Sequence, residues 1–179
     1  MLKSFVSAGH HDNDPGAVSG ELQESELTIE FRDLVIAELA RKGVSYAKDK
    51  DSETLGQYLH RIRPGSASVV VEFHFDSSLD KSITGTTAVV ANRASKNSKA
   101  FAKELVDKTA KILGIRNRGV IPESQTYRKR LAIMRKSGIV ALLELGFISN
   151  PSDIKAYEAG KTELARELAR IIKKYDDLI

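Results

Sequence analysis

Two segments of this chain are apolar enough to form strands that are buried on both faces of a sheet. SVVVEFHFD occupies residues 68–76 and is rich in β-branched and aromatic residues, and GIVALLELG occupies residues 138–146 and is almost continuously apolar. Such runs are typical of central strands in parallel sheets, which helices cover on both sides. These two segments therefore favour an α/β fold.

Helical periodicity separates the predicted strands. Leu27, Phe31, Val35 and Leu39 recur at helical spacing in residues 25–42. The other predicted helices span residues 52–63, 98–114 and 162–175, and the other predicted strands span residues 2–7, 43–48, 85–92 and 131–136. Strands that alternate with helices predict an α/β sandwich with a mostly parallel central sheet of about six strands.

The length and composition limit the domain organisation and the kinds of site. A chain of 179 residues with 41% hydrophobic residues can bury one core, and we expect a single domain over residues 1–179. The absence of cysteine excludes disulfides, thiolate metal sites and cysteine nucleophiles. The first residues lack an apolar stretch of signal-peptide length and no later run could span a membrane, so we expect synthesis in the cytoplasm without membrane insertion.

The charge of the chain allows a polyanionic partner. The formal net charge is +4 and the pI is about 9.2, and the densest basic segment is TYRKRLAIMRK at residues 126–136. Nucleic acid or an anionic cell envelope would suit this excess. Basic residues alternate with acidic ones along most of the chain, however, and this pattern favours solvated helix faces. Without tryptophan, the chain shows no evident stacking platform for single-stranded nucleic acid.

Three polar residues fall at the ends of predicted strands. His10 follows the first strand, His74 comes late in the 68–76 strand, and Glu144 follows five apolar residues. In open α/β sheets the ligand site lies beyond the carboxyl ends of the strands. Burying Glu144 would be unfavourable unless its charge is paired, although the strand could also emerge into solvent there. Their convergence predicts a site at this edge of the sheet.

A metal is the chemistry that these residue types suggest. His10 or His11, His74 and one carboxylate would make a catalytic zinc set with a fourth position for water, and the same set could hold non-haem iron. The acidic candidates near the start of the first helix are Glu21, Glu24 and Glu26, where a carboxylate also gains from the helix dipole. Spacing alone does not choose among these alternatives.

Four blocks of sequence carry a resemblance to a known family. SAGHHDNDPGA, LQESELTIEF, VVVEFHFDSS and IVALLELGFISNPSD together resemble the zinc-dependent N-acetylmuramoyl-L-alanine amidases of the amidase-3 type, found in bacterial autolysins and phage endolysins. The blocks occur in the family's order and cover nearly the whole chain. The resemblance implies one Zn²⁺ per chain held by the metal ligands His10, Glu24 and His74, with Glu144 as the catalytic general base.

The same resemblance implies the substrate and the place of action. We expect hydrolysis of the amide bond between N-acetylmuramic acid and L-alanine in peptidoglycan, by a monomer that acts on the bacterial cell wall. No separate wall-binding module is visible. Other metal-dependent peptidases or carboxypeptidases of peptidoglycan could use the same chemistry, and a non-catalytic basic module that binds nucleic acid would account for the charge alone.

The chain departs from the family's pattern beside two of the proposed ligands. His11 and Asp12 stand where the family usually has glycines, so His11 could compete as a ligand. Glu72, Phe73, His74, Phe75 and Asp76 stand where the family often has Ser-Ile-His-Ala-Asn. Strand alternation places Glu72 and Asp76 on the same face as His74, which adds negative charge near the metal.

Overall fold

A six-stranded sheet forms the centre of the computed structural model, which describes residues 4–178. The strands, in chain order, are β1 (Ser4–Ala8), β2 (Val18–Ser19), β3 (Leu22–Gln23), β4 (Tyr46–Lys48), β5 (Val69–Asp76), β6 (Thr86–Val90), β7 (Asn117–Pro122) and β8 (Ile139–Phe147). The helices are α1 (Glu24–Arg41), α2 (Leu55–Arg61), α3 (Lys96–Leu113) and α4 (Pro151–Asp177). Two short 3₁₀ helices span Glu123–Gln125 and Ala132–Arg135.

The strand order in the sheet is β4-β1-β5-β8-β6-β7, and β2 pairs separately with β3. β4, β1, β5 and β8 are parallel to one another, whereas β6 is antiparallel to β8 and parallel to β7. The predicted α/β fold with a mostly parallel sheet of about six strands is confirmed. The two central strands are the two apolar segments, since the enclosed part of a central strand, here residues 69–71 and residues 139–143, must be apolar on both faces.

The two faces of the sheet are covered unequally. Side chains such as Val71 and Phe73 of β5 join the larger core beneath α1, α3 and α4. On the opposite face, Val70 joins a smaller core closed by α2 and by the 3₁₀ helix at Ala132–Arg135. This thinner cover leaves the ends of β5 and β8 open to a cleft. None of the helices in residues 4–178 is long and apolar enough to cross a membrane.

One predicted strand of the six-stranded sheet is wrong and another was missed, and the short pair β2 and β3 was not predicted. Residues 131–136 contain a 3₁₀ helix, because the adjacent Ile133 and Met134 both turn into the smaller core, whereas a strand would point them to opposite faces. The sixth strand is instead β7, whose asparagine, glycine and proline masked it in the sequence. β7 lies at the sheet edge. Proline has no amide N–H to donate, and it is tolerated there because no further strand needs that hydrogen bond.

The last helix is longer than the pattern predicts. It begins at Pro151, where the Asn150 side chain accepts hydrogen bonds from the amides of Ser152 and Asp153. Gly160, which interrupts the apolar pattern, packs against Leu113 of α3, and a Cβ at this position would lie 2.8 Å from the Leu113 side chain. At the chain start, the predicted strand over residues 2–7 corresponds to β1, and residues 2 and 3 lie outside the described residues.

Candidate active site

The first histidine of the cluster follows the end of β1 in an uncommon backbone conformation. The amide of Gly9 still donates to the Phe73 carbonyl of β5, at 2.7 Å, but His10 then adopts a left-handed φ of 71°. This turn brings His10 Nδ1 to 2.9 Å from Asp14 Oδ2 and His10 Nε2 to 3.2 Å from Glu24 Oε2. Asp14 therefore orients the ring, so that its other nitrogen faces the site.

The carboxylate of the cluster is the first residue of α1. Glu24 is 3% exposed, whereas Glu21 and Glu26 are exposed on the surface. Glu24 Oε2 accepts a hydrogen bond from the Ala17 amide at 2.9 Å, and Oε1 accepts one from the Phe75 amide at 3.0 Å. Of the three acidic candidates near this helix, the structure brings Glu24 to the histidines.

The second histidine lies on β5 between two carboxylates. His74 Nδ1 lies 2.9 Å from Glu24 Oε1, and His74 Nε2 lies 3.1 Å from Glu72 Oε1. Glu72 is 3% exposed, and its Oε2 accepts a hydrogen bond from Ser7 Oγ. Glu72 thus orients the ring of His74, as Asp14 orients that of His10. Sequence reasoning left this role of Glu72 open.

His10, Glu24 and His74 together form a group that could hold a metal ion. One potential ligand atom from each residue lies within 4.8 Å of the other two. Two imidazole nitrogens and one carboxylate oxygen are donors that catalytic zinc sites use, and three protein ligands leave a position for water or substrate. The residues present therefore fit Zn²⁺. His11 lies outside this group, where its Nδ1 accepts a hydrogen bond from the Asn13 amide.

The backbone at Gly9 and Gly16 packs directly against the group of His10, Glu24 and His74. A Cβ at Gly16, whose φ is 67°, would lie 2.5 Å from His10 Cδ2 and 2.6 Å from Glu24 Oε2. A Cβ at Gly9 would overlap the ring of His74. Glycine at these two positions lets the chain pass directly against the histidines and the glutamate.

The electrostatics of the group favour added positive charge. Burial alone would raise the pKa of Glu24, but hydrogen bonds from His10 and His74 outweigh it and hold this pKa well below its usual range. Burial alone would lower the pKa values of both histidines, but their carboxylate partners raise them instead. The group therefore attracts a cation, either as protons on the imidazoles or as a metal ion that replaces them.

Glu144 lies beside His74 on the neighbouring strand. The register of β5 and β8 pairs His74 with Glu144, and β6 places Thr87 opposite Glu144 on its other side. Glu144 Oε2 is buried without a hydrogen-bond partner among residues 4–178. Burial raises the pKa of the Glu144 carboxyl to about 8, against the opposing charge of His74 and with support from the negative charge of Asp76. The carboxyl is thus placed to exchange a proton with a molecule in the site.

The site lies in a cleft of about 1290 Å³ on the thinly covered face of the sheet. His10, Glu24, His74 and Glu144 line it together with His11, whereas His60 is exposed on α2. Sequence reasoning missed the wall formed by β7 and the segment after it. The sequence signal for that wall is the basic segment at residues 126–136, which lacks the alternating acidic residues of a solvated helix face.

Comparison with known proteins identifies the family. The family model Amidase_3, described as N-acetylmuramoyl-L-alanine amidase, matches residues 5–174. The chain belongs to this amidase family. It is 27% identical over 153 residues to the N-acetylmuramoyl-L-alanine amidase LytC of Bacillus subtilis, an alignment that covers 83% of this chain but only 30% of LytC.

Solved structures agree with this assignment to the Amidase_3 family. A putative N-acetylmuramoyl-L-alanine amidase from Neisseria meningitidis superposes with a TM-score of 0.78 at 26% identity, covering 96% of this chain and 94% of that one. The amidase from Clostridium difficile 630 gives a TM-score of 0.82 at 21% identity, with 98% and 97% covered, and supports the fold. The predicted enzyme class, an N-acetylmuramoyl-L-alanine amidase that degrades peptidoglycan, is confirmed, and neither alternative function describes this family.

Proposed function

We propose that this chain hydrolyses the amide bond between N-acetylmuramic acid and L-alanine in peptidoglycan, with one Zn²⁺ held by His10, Glu24 and His74. The observation that carries the proposal is the juxtaposition of this His-Glu-His group with Glu144 on the adjacent strand, whose Oε2 is buried without a hydrogen-bond partner among residues 4–178. We further propose that residues 1–179 form one catalytic domain that acts as a monomer on the cell wall.

The three ligands are held in place before any metal binds. Hydrogen bonds from the Ala17 and Phe75 amides fix the carboxylate of Glu24, while Asp14 and Glu72 hold the far nitrogens of the two imidazoles. Bound zinc would supply a Lewis acid that polarises the scissile carbonyl and acidifies a water molecule. Preorganised ligands of this kind reduce the rearrangement that metal binding requires.

Glu144 performs the proton transfers in this scheme. Its buried Oε2 accepts a proton from the attacking water and later donates it to the amine of L-alanine as that amine leaves. Burial raises the pKa of this carboxyl and so favours its protonated form, which donates to the amine, whereas the charge of a bound zinc would favour the ionised form, which accepts the proton of water. Thr86 Oγ1 donates a hydrogen bond to the Glu144 carbonyl at 2.6 Å and helps to hold this part of β8.

Metal content and product analysis test the proposal together. Zinc would be measured by elemental analysis, and muropeptides digested by the purified protein would be analysed for the newly exposed amine. About one zinc per chain, activity lost to a chelator and restored by zinc, and a new amine on L-alanine are the expected results. Release of a carboxyl-terminal residue from the stem peptide would instead indicate a carboxypeptidase.

Matched variants assign the ligands. Glu24→Gln should lose zinc and activity, whereas Glu26→Gln, an exposed residue of the same helix, should retain both. His74→Gln and His60→Gln form a second pair with the same logic, because His60 is exposed away from the group. Full zinc binding by Glu24→Gln or His74→Gln would remove that residue from the metal site.

A further inference from the structure

The densest basic segment of the chain forms part of the wall of the active-site cleft. Arg128 and Arg130 line the cleft that also contains His10, His74 and Glu144. Arg116, directly before β7, and Arg118, its second residue, line the same cleft and extend the basic part of its wall. We define residues 124–130 as the basic loop.

The basic loop is anchored at both of its ends. The carboxylate of Glu123, which is 8% exposed, accepts a hydrogen bond from the Leu131 amide at 2.8 Å, and so joins the two residues that flank the loop. Within the loop, Thr126 donates through both its amide and its hydroxyl to the Glu123 carbonyl, and the Lys129 amide donates to the Thr126 carbonyl. These bonds give the loop a defined conformation that presents its side chains to the cleft.

Arg128 and Arg130 have no acidic partner among the residues that the structure describes. Both are exposed, and neither forms an ion pair with any carboxylate in residues 4–178. The sequence contains no aspartate or glutamate from residue 124 to residue 143. Lys129 lies between them in the sequence but does not line the cleft. The positive charges of Arg128 and Arg130 at the cleft are therefore available to an anionic ligand.

We propose that Arg128 and Arg130 bind the carboxylate groups of the stem peptide, an inference that rests on the proposed amidase function. The substrate continues from the scissile amide into a peptide that carries free carboxylates. Because Arg128 and Arg130 line the same cleft as Glu144, a peptide bound with its amide at Glu144 would meet them if it runs along that wall. The planar guanidinium group matches a carboxylate with two parallel hydrogen bonds, which a lysine cannot supply. The basic loop thereby selects anionic stem peptides.

Steady-state kinetics on defined soluble muropeptides test this subsite. The substrates are a muropeptide with free carboxylates and versions in which the D-glutamate carboxylate or the carboxylate of the third residue is amidated. The proteins are the wild type, the double variant Arg128→Gln/Arg130→Gln, and Lys129→Gln as the control with an adjacent charge removed. On the free acid, the double variant should raise KM about tenfold or more with kcat within about twofold. Lys129→Gln should match the wild type.

The amidated substrates identify the carboxylate and can overturn the inference. Amidation of the contacted carboxylate should raise the wild-type KM by a similar factor, and the double variant should then show no additional loss. Equal KM values for the double variant and the wild type on the free acid would refute the inference. It would also be refuted if the double variant raised KM on every amidated substrate by the same factor as on the free acid. Soluble muropeptides carry no teichoic acid, so a defect confined to intact walls would assign the arginines to wall polyanions and would also refute it.

Direct binding separates this inference from the proposed activity. Calorimetry with Glu144→Gln protein measures muropeptide affinity without turnover, with and without the two arginine substitutions. If the wild type cleaves no muropeptide, the proposed function fails, but a tenfold affinity loss in the arginine variant would still support the carboxylate subsite. Unchanged affinity together with normal wild-type cleavage would refute the subsite alone.

Discussion

Replacing Glu144 by glutamine removes a buried carboxyl group while preserving its shape. Burial raises the pKa of this carboxyl to about 8, against 4.5 for an ordinary glutamate. The folded protein therefore binds this proton more tightly than the unfolded chain does. Between these two values the free energy of unfolding falls as the pH rises, so the destabilising contribution of Glu144 is absent at low pH and complete above about pH 8.

The size of the effect follows from the same difference. At about 1.4 kcal/mol per pK unit, the interval from 4.5 to about 8 corresponds to an upper limit of about 5 kcal/mol. The cleft admits solvent beside Glu144, which reduces this limit, and we take about 2 kcal/mol as the working value. For a chain of this length, 1 kcal/mol shifts Tm by about 2 to 4 °C, so Glu144→Gln should raise Tm by about 4 to 8 °C at pH 8.

The assay is thermal unfolding of metal-free protein at about pH 5 and about pH 8. The gain in Tm should be present at pH 8 and small at pH 5, and Glu26→Gln should show no such difference because Glu26 is exposed. Zinc should reduce the Tm difference between Glu144→Gln and the wild type at pH 8, since a nearby cation stabilises the ionised Glu144. Turnover should fall by about 10² to 10⁴ with zinc content unchanged. A Tm gain of equal size at both pH values, or a loss at pH 8, would refute the reasoning.

Three further predictions concern the metal group and the surface charge. Glu72→Gln should weaken zinc binding about 10-fold or more, measured by competition with a chromophoric chelator, because Glu72 holds His74 Nε2. Asp76→Asn, which removes the same charge two residues beyond His74, should weaken it less, and equal losses would reduce the role of Glu72 to charge alone. Gly16→Ala should abolish zinc binding, because its Cβ would lie 2.6 Å from Glu24 Oε2, and a normal metal content would contradict this. Lysis of bacterial walls should decrease as ionic strength rises from about 0.01 to 0.15 M, where screening shortens the reach of the positive surface, and lysis that is independent of salt would count against an electrostatic contribution.

The predictable part of the fold is the part that is buried on all sides. β5 and β8 begin with continuous apolar runs, residues 69–71 and residues 139–143, because helices and neighbouring strands enclose them, and such runs are visible in a sequence. β7 is an edge strand and carries polar residues, so its pattern resembles that of a loop. Ile133 and Met134 are apolar and adjacent, and only the tertiary contact with the smaller core makes their segment helical.

The site was predictable to the extent that strand ends converge. His10, His74 and Glu144 each stand at such an end, and the parallel order of β1, β5 and β8 brings them to one edge. Glu24 could not be chosen by its position on a helix, since Glu26 has the same local chemistry, and only the resemblance selected it. The pairing of Glu72 with His74 depends on ring orientation, which a sequence does not contain.

The anchoring of the basic loop divides the molecule into parts with different dynamics. His74 and Glu144 lie in the hydrogen-bond ladder between the two central strands, whose amides should exchange with solvent only on global unfolding. Residues 124–130 are held by hydrogen bonds to Glu123 and, through the Ser124 amide, to the Asn92 side chain, and their amides should exchange through local opening. The reacting groups would thus remain fixed relative to one another while the wall that meets the peptide adjusts. Sequence changes in this loop could alter substrate preference without disturbing the geometry of the chemistry.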